Sequence, residues 1–438
     1  MFRLDFRSYR VILLGLILFS VMITTTGVEN NKSHLIGRMV RDRVVVASLD
    51  DPENVIVELD NVTLFNGDPD LEWLLHPHEI KLSSNQEQIA FVTVKPNMYK
   101  LNIITLSTLE HRDIAIPYPA TIAWSPNANS IFISLFRRLY IDRVYQYQDP
   151  VTGFIYDVGT NELREIPVTR ISHVQWSDEN EAFLIGRDND SGEALYKVSA
   201  DGDTLVKLTD FANNLPFPDR TVTRICPPMT IDPQKQLIYL TERCDDTPSS
   251  RSNILSVSAQ NKTVNYVTDL TEFVADDITG IDTTRPITVQ IINNNIYVAL
   301  SAFVWSSSGN TDGWRVLKIN EEQNVDVVFE TRRDYLDSLH HAEFSPDGDY
   351  VALAGRGNLL VVNLNNGQMW ETTLNKGNDE SVCSFHWMND SELIFDTSDV
   401  CTTSAGDFVN RTTGSIFKFD AITKSLVTLV ENDAWIIQ

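Results

Sequence analysis

The sequence predicts an all-β protein, a β-propeller of four-stranded antiparallel blades. Three observations carry this. A hairpin pattern of alternating apolar residues around a Ser-Pro-Asp-like turn recurs along the chain. A second alternating hairpin follows most copies. The copies return at intervals of about 40 to 55 residues, the length that four strands and their turns occupy in one blade.

In chain order, the first residues read as a targeting segment. Arg3, Arg7 and Arg10 precede an uninterrupted apolar run over residues 11–23, and the polar stretch Thr24, Thr25, Thr26, Gly27 follows. That is the order of a secretory signal, and the run is short of the roughly 20 residues that span a bilayer. Residues 1–27 are expected to act as a signal peptide or as an uncleaved signal anchor. Either places the remainder outside the cytoplasm: periplasmic, at the cell surface or secreted. Residues 28–75 then form an N-terminal segment with a hairpin over residues 43–59, and residues 76–438 form the propeller.

The clearest repeat is Ala342-Glu343-Phe344-Ser345-Pro346-Asp347-Gly348, leading into Tyr350-Val351-Ala352-Leu353. The same spacing holds from Ile122-Ala123-Trp124-Ser125-Pro126-Asn127 to Ile131, and from Val174-Gln175-Trp176-Ser177 to Phe183. Looser copies open at Ile80, Met229, Thr288 and His386. Alternation on both sides of a Pro, Asp or Gly turn is a β-hairpin with one face of each strand committed to packing. Second hairpins follow at Leu195 to Thr209, Leu359 to Thr372 and Ile416 to Leu429. Seven hairpin starts predict seven blades, with six or eight as alternatives.

The Trp-Ser-Pro-Asn and Phe-Ser-Pro-Asp-Gly hairpins, with segments such as Ala200-Asp201-Gly202 running into Leu208-Thr209, resemble the repeats of TolB-like (WD40-like repeat) propellers. The resemblance spans residues 78–430 and implies the architecture. It implies no catalytic residues, because the repeat is structural.

Composition narrows the partners. Acidic residues outnumber basic ones by 60 to 35, for a net charge of -25. Such a chain repels nucleic acid and anionic lipid, so a protein, peptide or glycan partner is expected, with membrane contact only through an uncleaved N-terminal anchor. No cofactor and no metal are expected. Asp188-Asn189-Asp190-Ser191-Gly192 begins like a calcium loop, lacks the later bidentate Glu, and reads as a turn.

Two places on a propeller are suited to binding. One is the rim carrying the connections from second to third strands, which are long at residues 136–153, 244–253, 302–314 and 401–414. The other is the channel mouth, where the entry positions of innermost strands converge. Three and four residues before the Trp/Phe position these read His78-Glu79, Ser172-His173, Arg285-Pro286 and His340-His341. Imidazoles, a carboxylate and a guanidinium suit an anion or a metal, while the plain alternative is hydrogen bonding to neighbouring strands. A non-catalytic binding or scaffolding module is the function expected. A hydrolase or lyase using His and acidic residues at the channel mouth is the alternative. No Gly-x-Ser-x-Gly elbow, phosphate loop or His-Glu-x-x-His motif supports it.

Four cysteines test the strand register. Cys226 and Cys244 are eighteen apart, as are Cys383 and Cys401, and each pair brackets an inner hairpin. Turns centred near Lys235 and Glu392 would set Cys226 opposite Cys244 and Cys383 opposite Cys401, within disulfide reach. Free buried thiols or zinc ligands are the competing assignments, and zinc requires four ligands that converge. Peptide mapping of the unreduced protein is expected to return the links Cys226 to Cys244 and Cys383 to Cys401. A Cys226 to Cys383 link would refute the assignment.

Overall fold

The computed structural model describes residues 34–40, 43–59, 62–64, 73–75, 80–95, 98–117, 120–135, 140–141, 144–145, 152–177, 181–187, 193–210, 225–242, 252–270, 281–304, 311–334, 339–355, 358–373, 381–398 and 414–437. The chain divides into a unit of residues 1–34 and a unit of residues 35–438. The expected signal segment therefore lies outside the described residues.

Among the described residues the second unit is built of strands whose ladders form antiparallel four-stranded blades, and Val62–Leu64 and Trp73–Leu75 add a parallel pair beside Gln88–Lys95. Blade 2 comprises Lys81–Leu82, Gln88–Lys95, Met98–Thr105 and His111–Ile116. Blade 3 comprises Ala120–Trp124, Ser130–Leu135, Thr152–Asp157 and the first part of Glu162–Trp176. The rest of that strand opens blade 4, followed by Glu181–Arg187, Glu193–Ser199 and Leu205–Asp210. Blade 5 holds Ile225–Asp232, Leu237–Glu242, Asn253–Ser258 and Val264–Asp269. Blade 6 holds Ile281–Ile292, Asn295–Val304, Thr311–Ile319 and Val325–Asp334. Blade 7 holds His341–Phe344, Tyr350–Gly355, Asn358–Asn363 and Met369–Thr373. Blade 8 holds Ser381–Trp387, Glu392–Ser398, Gly414–Asp420 and the start of Ser425–Ile437.

Blade 1 joins the two ends of the chain. Residues 434–437 pair with Leu35–Val40, which pairs with Arg43–Ser48 and then Val55–Leu59. All seven hairpin starts fall on the first strand of a four-stranded set, and Leu35–Val40, Arg43–Ser48 and Val55–Leu59 form a further set with residues 434–437. It escapes a search for contiguous repeats because its innermost strand is contributed from the far terminus. The expected hairpin at 43–59 forms, and Leu35–Val40 joins it to residues 434–437.

Each seam between blades carries its own apolar core. Eight hydrophobic clusters lie at the eight seams of the described residues, from Ile89 and Phe91 against Val44 and Val46 round to Ile394 and Ile416 against Ile36 and Ile436. Burial of apolar side chains on both faces of every sheet is what holds the ring together.

The repeated turn has a defined mechanism. Ser83, Ser125 and Ser345 each donate Oγ to the Asx Oδ1 two residues on, at 2.7, 2.8 and 2.6 Å, and accept from the backbone N–H five residues on at 2.9 Å. The residue three on is left-handed: Gln86 at φ 61°, Ala128 at 60° and Gly348 at 80°. At Gly348 an added Cβ would also lie 2.9 Å from Ile292 Cγ2, so that turn takes glycine on two counts. Tryptophans at the aromatic position of the innermost strand link blades. Trp124 Nε1 donates to Lys81 O at 3.2 Å, Trp176 Nε1 to Ala123 O at 3.1 Å and Trp387 Nε1 to Glu343 O at 3.1 Å.

At the closing seam Asp396, almost fully buried, accepts from Ser384 N (2.8 Å), Ser384 Oγ (2.9 Å) and Ile436 N (2.9 Å), so one carboxylate bridges blade 8 to the terminal strand. Trp435 lies over Gly37, where a Cβ would meet the indole at 2.2 Å. Equilibrium urea unfolding is expected to separate two kinds of link. Trp387→Phe keeps the ring, loses one hydrogen bond and costs about 1 kcal/mol. Asp396→Ala strands buried donors on two strands and costs about 3 kcal/mol or more. Equal losses for the two variants would refute the assignment of closure to Asp396.

Candidate functional site

Four innermost strands bring chemically distinct residues to one register step, three residues before the aromatic position. Thr121 faces Ser134, His173 faces Ile185, His341 faces Ala354 and Ser384 faces Asp396. His173 and His341 are thus equivalent in the fold, as their repeats predict, but they sit on blades 4 and 7 rather than on neighbouring ones. His78 and Glu79 lie outside the described residues. Arg285 is opposite Ser301 in the first ladder of blade 6, and its side chain lies outside the described set.

His340 and His341 are used by the seam to blade 8. His340 Nε2 is 3.1 Å from Val382 O, and the His341 ring centroid is 4.1 Å from that of Phe385, tilted by 33°. Two further residues that the sequence did not single out complete this group: Glu343 Oε1 lies 2.9 Å from His386 Nδ1, across the same seam. Their signal was available in the alternation, since Glu343 follows His341 by two residues on the same strand face. His173 stands at the equivalent step of blade 4, with Ile185 across the ladder. Gln175, two residues on, has its Oε1 buried without a partner.

Both His173 and His341 keep partial solvent exposure while protein surrounds them on most sides. That enclosure disfavours the imidazolium, and it lowers the pKa of each from 6.5 to about 4; His340 adds like-charge repulsion at His341. At neutral pH both rings are uncharged hydrogen-bonding and stacking surfaces. Among the described residues no group of three His, Cys, Asp or Glu is placed to hold a metal.

The cysteine register differs from the one the equal spacings predict. Cys226 faces Thr241, because the ladder skips from Cys226 to Met229 across Pro227 and Pro228, which bring no N–H to the ladder after Cys226. Cys383 is itself the bulged residue between Val382, facing Thr397, and Ser384, facing Asp396. In both repeats the first cysteine stands at a bulge rather than in a facing pair. Cys383 is disulfide-bonded, and no described cysteine is free. Cys244 and Cys401 lie outside the described residues.

The two rims of the ring differ. First-to-second and third-to-fourth strand connections are tight, whereas second-to-third connections include residues 136–151, 243–252 and 399–413. The connection expected over 302–314 is shorter, since its strands extend to Val304 and from Thr311 with an unbroken ladder between them. Within 136–151, Tyr140–Ile141 and Val144–Tyr145 pair as a small accessory hairpin.

Neither a family model nor a curated protein sequence matches the chain. Solved structures with a similar backbone include the Dos1 propeller, at TM-score 0.53 and 11% identity over 81% of this chain and 84% of that one. The β-propeller domain of the Trilobed protease from Pyrococcus furiosus aligns at TM-score 0.43 and 11% identity, over 82% of this chain and 96% of that one. The Dos1 propeller supports the β-propeller fold assigned from the ladders, and the fold is all that identity at this level carries.

The lowered histidine pKa values set a pH dependence. Unfolded imidazoles take up protons near pH 6.5, whereas folded His173 and His341 do so only near pH 4. Their contribution is therefore present above pH 6.5 and is lost as pH falls toward 4. In urea unfolding at pH 7 and pH 5, His173→Gln and His341→Gln are each expected to lose less stability on acidification than the wild type. An unchanged difference would refute the neutral assignment.

Proposed function

We propose that the chain is an exported TolB-like propeller that binds or scaffolds a protein, peptide or glycan partner through the rim bearing its long second-to-third connections. The observation that carries this reading is the asymmetry of the rims. Ser-x-Asx turns leave one rim little more than the strands require, while the other adds chain at blades 3, 5 and 8. Additional chain on one end of a rigid scaffold is where recognition is usually placed.

Composition supports the same rim. Residues 136–151 contain Arg137, Arg138 and Arg143 with Tyr140, Tyr145 and Tyr147, a basic and aromatic run within a chain of net charge -25. Arg and Tyr are the residue types that dominate interface energetics. Blade 7 shows what the scaffold needs at the equivalent connection: Tyr350–Gly355 and Asn358–Asn363 are joined by Arg356 and Gly357 alone.

Crosslinking in the native envelope is expected to capture a specific partner. Replacing residues 136–151 with an Arg-Gly turn should abolish that capture and leave the thermal midpoint close to the wild-type value. An identical crosslinking pattern with and without the connection would overturn the proposal. Turnover of a substrate that His173→Gln abolishes would do so in favour of a propeller enzyme.

A further inference from the structure

The exposed apolar residues of the ring gather on one part of one rim. Of the eight large apolar side chains that stand exposed among the described residues, six are Val55, Leu109, Met369, Ile422, Leu426 and Val427, at 40% to 70% exposure. They lie in or just after the connections from third to fourth strand, at residues 49–54 in blade 1, 106–110 in blade 2, 364–368 in blade 7 and 421–424 in blade 8. Blades 7, 8, 1 and 2 pack in that order round the ring, so these four corners are consecutive. The same corners of blades 3, 4 and 5 are polar. They read Gly159-Thr160-Asn161-Glu162, Asp201-Gly202-Asp203-Thr204 and Gln260-Asn261-Lys262-Thr263, and none of the eight apolar residues lies there. A single exposed Leu is ordinary, whereas a one-sided series at equivalent turns marks a contact surface.

The chain enters the ring on this same rim. Leu35 opens the second strand of blade 1, opposite Ile437 of the first, and second strands start on the rim that carries the third-to-fourth connections. Val55 begins the fourth strand, two ladder steps outward from Leu35, or about 10 Å at the usual strand spacing. Upstream, residues 11–28 between Arg10 and Glu29 are eighteen residues without a charge. As a helix that stretch is about 27 Å long, close to the thickness of a hydrocarbon core. Arg3, Arg7 and Arg10 against Asp5 hold its start on the cytoplasmic side. Only residues 29–34 join it to Leu35, and six residues reach about 20 Å when fully extended.

We propose that residues 11–28 remain in the membrane as an anchor and that the third-to-fourth corners of blades 7, 8, 1 and 2 rest on the surface of the same bilayer. Their apolar side chains sit at the level of the lipid headgroups. The occupant is a zwitterionic lipid surface: the corners carry Asp50, Asp51, Glu53 and Glu110 beside Lys424, and a net charge of -25 repels anionic lipid. The short tether raises the effective concentration of lipid at this rim, so a few shallow apolar contacts suffice to hold it down. The rim of long connections then faces away from the membrane. This orientation goes beyond the partner reading and does not depend on it.

The test places the full chain in phosphatidylcholine nanodiscs doped with phosphatidylcholine that bears a diazirine near the ester end of its acyl chain, and maps photolabelled peptides by mass spectrometry. Labels are expected in residues 11–28 and at the corners of blades 7, 8, 1 and 2, several-fold above the corners at 159–162, 201–204 and 260–263. Ile422→Ser combined with Val427→Ser changes two exposed side chains, so the thermal midpoint should hold. Labelling of the four corners should fall toward the level of blades 3, 4 and 5 although the anchor is intact. Phosphatidylglycerol discs should label the corners less. Labels confined to residues 11–28, equal labelling of all corners, indifference to the double variant, or undiminished labelling in phosphatidylglycerol overturns the docking. A chain cut before residue 28 in its native envelope overturns the anchor. Crosslinks between two copies at these corners, without lipid labels, assign the surface to self-association instead. Partner capture through residues 136–151 is measured separately, so either proposal can fail alone.

Discussion

The structure depends on a short ladder between the two ends of the polypeptide. Residues 434–437 pair with Leu35–Val40, and without those few hydrogen bonds the array would be an open arc with two apolar faces exposed. Every other seam is built by neighbours in sequence. This one joins residues about as far apart as the chain allows, so its loop-closure entropy is the largest in the fold. The means of offsetting it are visible: Asp396 holds Ile436 N–H and Ser384 together, Trp435 lies over Gly37, and the strand that ends blade 8 continues without a break into blade 1.

Much of the architecture is legible in the sequence because one turn repeats. Ser125-Pro126-Asn127 and Ser345-Pro346-Asp347 are recognisable because the hydroxyl ties the turn, the Asx oxygen completes it, and the next position goes left-handed. Blades 5 and 6 lack the serine and are harder to see, although Asp232 Oδ1 takes over by accepting from Gln234 N and Lys235 N. Blade 1 is hidden because periodicity is a local signal, and its strands come from distant parts of the sequence.

The candidate site is legible only in part. Alignment on the aromatic position puts His173 and His341 at one structural step, and the ladders agree. What sequence does not provide is the neighbour. His341 lies against Phe385, a contact set by a residue on another blade. The cysteines teach the same lesson: equal spacing implies facing positions, but Pro227 and Pro228 in one hairpin and the bulge at Cys383 in the other shift the ladders. An extra residue in a strand is silent in composition and decisive in register.

The shared ownership of blade 1 also orders events in time. Leu35–Val40 is synthesised well before its partner at residues 434–437. For the whole interval between them, the strand Leu-Ile-Gly-Arg-Met-Val has one unpaired edge while the intervening blades accumulate. Such an edge is a template for mispairing. A strand made early is thus completed only when residues 434–437 arrive, and its period of vulnerability ends there.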